Sequence, residues 1–205
     1  VKDREGRLTV SGLEVQTGYD VYFVLQDRAG NLIEEVKTLQ IKTLDVIPPT
    51  AELKFEPEVN GQPLVESDIS IVFSEEIRVE VNEDGKRKSL HEMEGEELLD
   101  AVRRNFHFID AESQLDDPVP TNFNAQNVIC KLEEGKTILT FKGGEEEAAR
   151  ALSLVSGNKY RVEMERGIYD TSNNRIEDKY RVLEFTTVFS RIVQNEIKDR
   201  PADIN

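Results

Sequence analysis

The chain of 205 residues carries 26 Lys and Arg against 41 Asp and Glu, a formal net charge of −15. That balance argues against the basic face with which proteins neutralise nucleic-acid or lipid phosphates, so no nucleic-acid partner is expected. Hydrophobic residues make up 38%, enough to fill a core, but no apolar run approaches the roughly 18 residues that cross a bilayer, so no membrane insertion is expected, and the single cysteine, Cys130, has no partner for an internal disulfide.

From the N-terminus, Tyr19-Asp-Val-Tyr-Phe-Val-Leu-Gln26 alternates so that Tyr19, Val21, Phe23 and Leu25 share one face, which predicts a strand. Leu44-Asp-Val-Ile-Pro-Pro-Thr50 follows; its two prolines donate no ladder hydrogen bonds and stiffen the backbone, which predicts a short semi-rigid link and a boundary near residue 46. Ile69, Ile71 and Phe73 share the face of a further strand. Glu92 to Arg104 reads as a helix: Leu98, Leu99 and Val102 form one stripe, and acids at the start with Arg103-Arg104 at the end suit the helix dipole.

Val128, Cys130 and Leu132 alternate on the next strand, followed by strands over 137–141, 159–164 and 181–187. Glu145 to Leu152 predicts a two-turn helix after Gly143-Gly144. Turn signals stand at Asn60-Gly61, Asp84-Gly85, Gly143-Gly144 and Gly157-Asn158. Short strands at this spacing predict an all-β protein of antiparallel sandwiches rather than βαβ units. Ser190 to Asn205 reads as a polar tail or linker, and the start at Val1 without a leader reads as part of a longer polypeptide.

One pattern occurs twice. Tyr19-x-Val21 opens a strand that leads to Asp27-Arg-Ala-Gly-Asn31, and a second strand ends in Ile41-Lys-Thr43. Tyr160-x-Val162 leads to Asp170-Thr-Ser-Asn-Asn174, and a later strand ends in Phe185-Thr-Thr187. In both, an Asp side chain is placed to cap the backbone while Gly or Asn takes the left-handed position that closes the turn. The repeat predicts the ends of two related β-sandwich modules.

The first copy, from about residue 7 to 44, resembles the C-terminal half of a fibronectin type III domain, with Tyr19 as its tyrosine corner, although Val15-Gln16 stands where Pro-Gly is usual. Residues from about 48 to 187 resemble the bacterial Ig-like module of S-layer and cell-wall surface proteins. The carriers are Pro48-Pro49-Thr50, Ile69-Ser-Ile-Val-Phe-Ser-Glu-Glu-Ile77, Asn105-Phe-His-Phe-Ile-Asp110, Gly157-Asn-Lys-Tyr-Arg-Val162, Gly167-Ile-Tyr-Asp170 and Phe185-Thr-Thr187. The expected organisation is a partial fibronectin III-like sandwich over 1–46, an Ig-like sandwich over 47–189 and a tail over 190–205. The resemblance implies an extracellular, non-catalytic spacer module, partnered by neighbouring modules of the same surface protein or by cell-wall components. Two alternatives are an adhesin that uses the 80–125 insertion, with Phe106, Phe108 and Phe123 as apolar contacts, and an accessory module of a secreted hydrolase.

Catalytic patterns are scarce. His91 and His107 belong to no metal-binding pair, Ser89 lies near His91 without a nucleophile elbow, and no Trp is present to stack on a sugar. Gly135-Lys136-Thr137 imitates a phosphate loop but lacks the earlier Gly and the following helix, so a hairpin turn is expected. No EF-hand spacing occurs. The remaining candidates are calcium ligands at oxygen-rich turns: Asp170, Asn173 and Asn174, with Asp27, Asp45 and the neighbours Asp116 and Asp117. The same residues close turns with no ion at all.

Overall fold

The computed structural model describes residues 10–32, 34–81 and 85–188; the tail over 190–205 and Asp84 of the Asp84-Gly85 turn lie outside them. Two compact units divide at Ile47 and Pro48. In the first, β1 (Gly18–Phe23) and β2 (Lys37–Lys42) pair as an antiparallel hairpin, with Tyr19 opposite Ile41 and Val21 opposite Leu39. Beyond β1, Gln26 bridges Leu32 across the Asp27–Asn31 turn.

The second unit is also predominantly β. Its elements are β3 (Ala51–Val59), β4 (Gln62–Phe73), β5 (Ile77–Glu80), β6 (Arg87–Ser89), α1 (Gly95–Asn105), β7 (Phe106–Asp110), β8 (Val128–Glu133), β9 (Lys136–Phe141), β10 (Lys159–Met164), β11 (Ile168–Asp170) and β12 (Val182–Thr186). They form antiparallel sheets in the orders β3-β4-β9-β8, β12-β10-β7 and β11-β5-β6. Asn60 and Gly61 both take positive φ (54° and 77°), the backbone of a two-residue hairpin between β3 and β4. Glu134 and Gly135 do the same (49° and 78°) between β8 and β9. Gly135-Lys136-Thr137 is therefore a turn running into a strand, as its sequence context predicts. On the outer strand β3 the register shifts between Glu56 and Glu58, beside Pro57.

Alternation explains the core. Ile69, Ile71 and Phe73 of β4, with Leu139 and Phe141 of β9, meet Phe106 and Phe108 of β7 and Tyr160, Val162 and Met164 of β10 in one buried cluster. Phe108 packs edge-on against Phe141, with ring centroids 4.7 Å apart and planes at 77°. The predicted helix is present, with Leu98, Leu99 and Val102 buried and the charges at its ends as expected. The stretch from residue 85 to 105 is integral to the fold rather than appended to it, since Leu90, Met93 and the helix stripe all belong to the core.

Two expectations need correction. Glu145 to Leu152 does not form two helical turns; a single 3-10 turn spans Glu147–Ala149. The chain beyond it is held extended, because Ala151 N–H donates to the Lys142 carbonyl (2.8 Å) and Leu152 bridges Thr121. Phe106 and Phe108 are not surface contacts either. Both are buried in the core, and Phe123 packs against it, stacked 5.4 Å from Phe141.

Candidate functional site

The two copies of the sequence repeat build the same hydrogen-bond network. In the first unit the Glu14 N–H donates to Tyr19 Oη at 2.8 Å. The Thr43 hydroxyl donates to the Glu14 carbonyl at 2.6 Å, and the Thr43 N–H reaches the Thr17 carbonyl at 3.0 Å. In the second unit the Val155 N–H donates to Tyr160 Oη at 2.7 Å. The Thr187 hydroxyl donates to the Val155 carbonyl at 2.5 Å, and the Thr187 N–H reaches the Asn158 carbonyl at 3.0 Å. Each tyrosine bonds back five residues, and each threonine ties the end of the partner strand to the same loop. The loop groups that precede β1 and β10, left without ladder partners, are satisfied in this way.

The acidic turns match as closely. The Asn31 N–H and Nδ2 donate to the two oxygens of Asp27 at 2.9 and 2.7 Å. The Asn174 N–H and Nδ2 donate to the two oxygens of Asp170 at 2.7 Å each. The left-handed position before the closing Asn is Gly30 in one turn (φ 92°) and Asn173 in the other (φ 70°). Hydrogen bonds from the Asn31 side chain and backbone hold the exposed Asp27 carboxyl below its ordinary range. Asp170 is buried.

Of the calcium candidates, Asp170, Asn173 and Asn174 share one turn, but the carboxylate is engaged by Asn174, and Asn173 Oδ1 accepts from Arg87 Nη1 at 2.9 Å. Asp27 closes the corresponding turn of the first unit. Asp45 accepts from the Ile47 N–H at 3.0 Å and from Gln16 Nε2. Asp116 pairs with Arg161 at 3.4 Å and Asp117 accepts from Ser113 Oγ at 2.7 Å, so the 110–117 turn is tied to its own neighbours. The carboxylate that sequence reasoning does not connect with Asp170 is Glu75, an oxygen of which lies within 4.8 Å. Among the described residues of the second unit, the Glu75 and Asp170 carboxylates lie close enough to share a cation.

The histidines, Ser89 and Cys130 are absorbed into packing or local pairs. Ser89 Oγ donates to Glu76 Oε1 at 2.6 Å, and His91 Nδ1 stands 4.0 Å from the same oxygen. A nucleophilic relay needs the imidazole between hydroxyl and acid; here the acid takes the hydroxyl directly. His107, opposite in direction to its phenylalanine neighbours, faces outward and contacts Glu165 at 3.3 Å. Cys130 packs against the core, and burial pushes its thiol up to about 12. A depression of about 520 Å³ over the outer face of the four-stranded sheet is lined by Lys54, Asp68, Ser70, Thr140 and Lys142. Lys142 is paired with Asp68 at 2.5 Å and Lys54 with Glu52 at 3.6 Å.

Comparison of the chain with family models, with curated proteins and with solved structures gives no significant match.

Proposed function

We propose that this chain is a non-catalytic structural module of a secreted bacterial surface protein, a bacterial Ig-like sandwich preceded by a fibronectin III-like hairpin, acting as a spacer. The observation that carries this reading is the duplicated corner: Tyr19 with Glu14, and Tyr160 with Val155, each locked by a threonine from the neighbouring strand. A repeated, locally closed strand-and-turn unit suits serial stacking, where each module holds a set length and a net charge of −15 keeps the surface solvated. The use of buried polar side chains supports the same reading. Asp170 closes a turn, Thr137 Oγ1 accepts from the Ile77 N–H at 3.0 Å, and Asn105 Nδ2 donates to the Ala101 carbonyl at 2.8 Å. These groups hold backbone rather than face a cleft.

The partners in this reading are neighbouring modules of the same polypeptide and components of the cell wall. An antibody raised against the chain tests it on fractionated cells. The expected result is signal in the wall or medium fraction and labelling of intact cells. Signal confined to the cytosol would overturn the proposal.

A further inference from the structure

The turn between β3 and β4 holds the one Asn-Gly pair of the sequence, Asn60-Gly61. Both residues are exposed, and both take the positive φ of a two-residue hairpin turn, 54° and 77°. Val59 pairs with Gln62, so the ladder closes beneath the turn. Among the described residues no backbone carbonyl accepts the Gly61 N–H, and no atom stands within 4 Å of where a Cβ on Gly61 would lie. The Asn60 side-chain amide likewise has no hydrogen-bond partner among the described residues. Other asparagines are held differently. The side-chain amides of Asn105, Asn127 and Asn174 donate to the Ala101 carbonyl, the Asn122 carbonyl and the Asp170 carboxylate at 2.8, 2.8 and 2.7 Å. The residues that follow them, Phe106, Val128 and Arg175, carry side chains that crowd the next backbone nitrogen.

We infer that Asn60 is a site of spontaneous deamidation in the folded protein, with isoaspartate among its products. The Gly61 N–H gives its proton to hydroxide, and the nitrogen attacks Asn60 Cγ. The Cγ–Nδ2 bond breaks, and the leaving nitrogen takes a proton from water and departs as ammonia. The cyclic imide left behind is opened by water. Cleavage of its N–Cγ bond gives aspartate, and cleavage of its N–C bond to the backbone carbonyl gives isoaspartate. Isoaspartate carries the main chain through Cγ and so adds one carbon to a turn whose length fixes the register of the strands it joins. The pairs that loosen are those beside it, Val59 with Gln62 and Glu58 with Pro63. The aspartate product keeps the turn and adds only a negative charge. The inference does not depend on the module reading.

The test is incubation of the 205-residue chain in mildly alkaline buffer, native and in denaturant side by side. Ammonia assay, peptide mapping and labelling by an isoaspartate-specific methyltransferase follow. The expected result is ammonia release from the native chain, with conversion at Asn60 ahead of the other asparagines, Asn124 and the exposed Asn173 included. Gly61→Ala, which sets a methyl group beside the attacking nitrogen, slows conversion by about tenfold or more, equivalent to about 1.4 kcal/mol in the barrier. Asn60→Gln, whose longer side chain would have to close a larger ring, releases no ammonia from this turn. Conversion confined to denaturant, an intact Asn60 in the native chain, faster conversion at Asn124 or Asn173, or an equal rate in Gly61→Ala overturns the inference. If Gly61→Ala fails to fold, Asn60→Gln carries the test, and ammonia release that persists in it at the rate of the unaltered chain overturns the inference as well.

Discussion

The backbone N–H of Val155 donates to the phenolic oxygen of Tyr160 at 2.7 Å, across five residues, and the ring that carries this oxygen lies against Phe185 with centroids 5.4 Å apart. One side chain thus fixes both a loop and the packing between two strands. Replacing it with phenylalanine keeps the ring and removes only the hydroxyl, which accepts from the Val155 N–H and donates to the Val155 carbonyl at 3.5 Å. Tyr160→Phe is expected to cost about 1–2 kcal/mol in denaturant unfolding of the second unit, the usual penalty for orphaning a partly buried donor. Tyr19→Phe, in an exposed corner, is expected to cost less.

The same residue sets a limit at high pH. Burial, the dominant cause, raises the Tyr160 phenol above its ordinary value near 10. A raised phenol contributes stability in full below pH 10. That contribution is lost as pH rises, because the unfolded chain ionises first. Thermal melts from pH 8 to 11 should therefore show a decline above pH 10 that is shallower in Tyr160→Phe. Parallel declines in both proteins would refute this assignment.

Gly143 is pressed against a neighbouring strand. A Cβ at this position would lie 2.0 Å from the Glu66 carbonyl oxygen, and the Gly143 and Gly144 N–H groups bond Asp68 Oδ1 and the Glu66 carbonyl at 2.8 and 2.9 Å. Gly143→Ala is expected to destabilise by roughly 1–3 kcal/mol through forced backbone displacement. Gly135→Ala is the contrasting case: φ is 78° but no atom stands within 4 Å, so only left-handed strain of about 1–2 kcal/mol applies. Pairing Gly143→Ala with removal of Glu66 side-chain atoms should restore nothing, since the clash is with backbone.

Cys130 should be inert in the folded protein. Its thiol, pushed up to about 12 by burial, supplies almost no thiolate at pH 8. Reaction with a thiol reagent at that pH is expected to follow unfolding, with a rate that rises through the denaturant transition. Fast labelling of the native protein would show the site to be open.

Calcium offers a sharper test of the turns. Both oxygens of Asp170 already accept hydrogen bonds from Asn174, so the turn is closed by its own residues. Melts in chelator and in millimolar calcium at fixed ionic strength should coincide. A saturable rise specific to calcium, and lost in Asp170→Ala, would instead place an ion beside Glu75 and Asp170, since binding to the native state raises its stability by mass action.

Local signals were legible in the sequence and distant ones were not. The Asp27–Asn31 and Asp170–Asn174 closures span four residues each, so residue types alone point to them. Glu75 and Asp170 are 95 positions apart, and only the pairing of β5 with β11 brings that end of the chain round. Alternation marked β4, β8, β9 and β10, and the same signal runs through Ala51, Leu53 and Phe55 of β3. The failure at Glu145 to Leu152 has a physical cause: alanines and acids favour a helix locally, but the fold draws Ala151 and Leu152 into extended bonding with Lys142 and Thr121. The adhesin alternative puts Phe106 and Phe108 on the surface because a long segment between strands reads as a loop, whereas α1 carries them directly into β7 and the core.

The outer strand β3 guards the protein against its own kind. It presents Glu52, Lys54, Glu56 and Glu58 along an edge whose register breaks between Glu56 and Glu58, and Pro57 offers no N–H to a newcomer. A polypeptide that strings several sheets close together raises the local concentration of bare edges far above that of free molecules, and misregistered fusion becomes the main hazard. An edge that is charged, bulged and short of one donor resists such fusion, whatever sheets come near it.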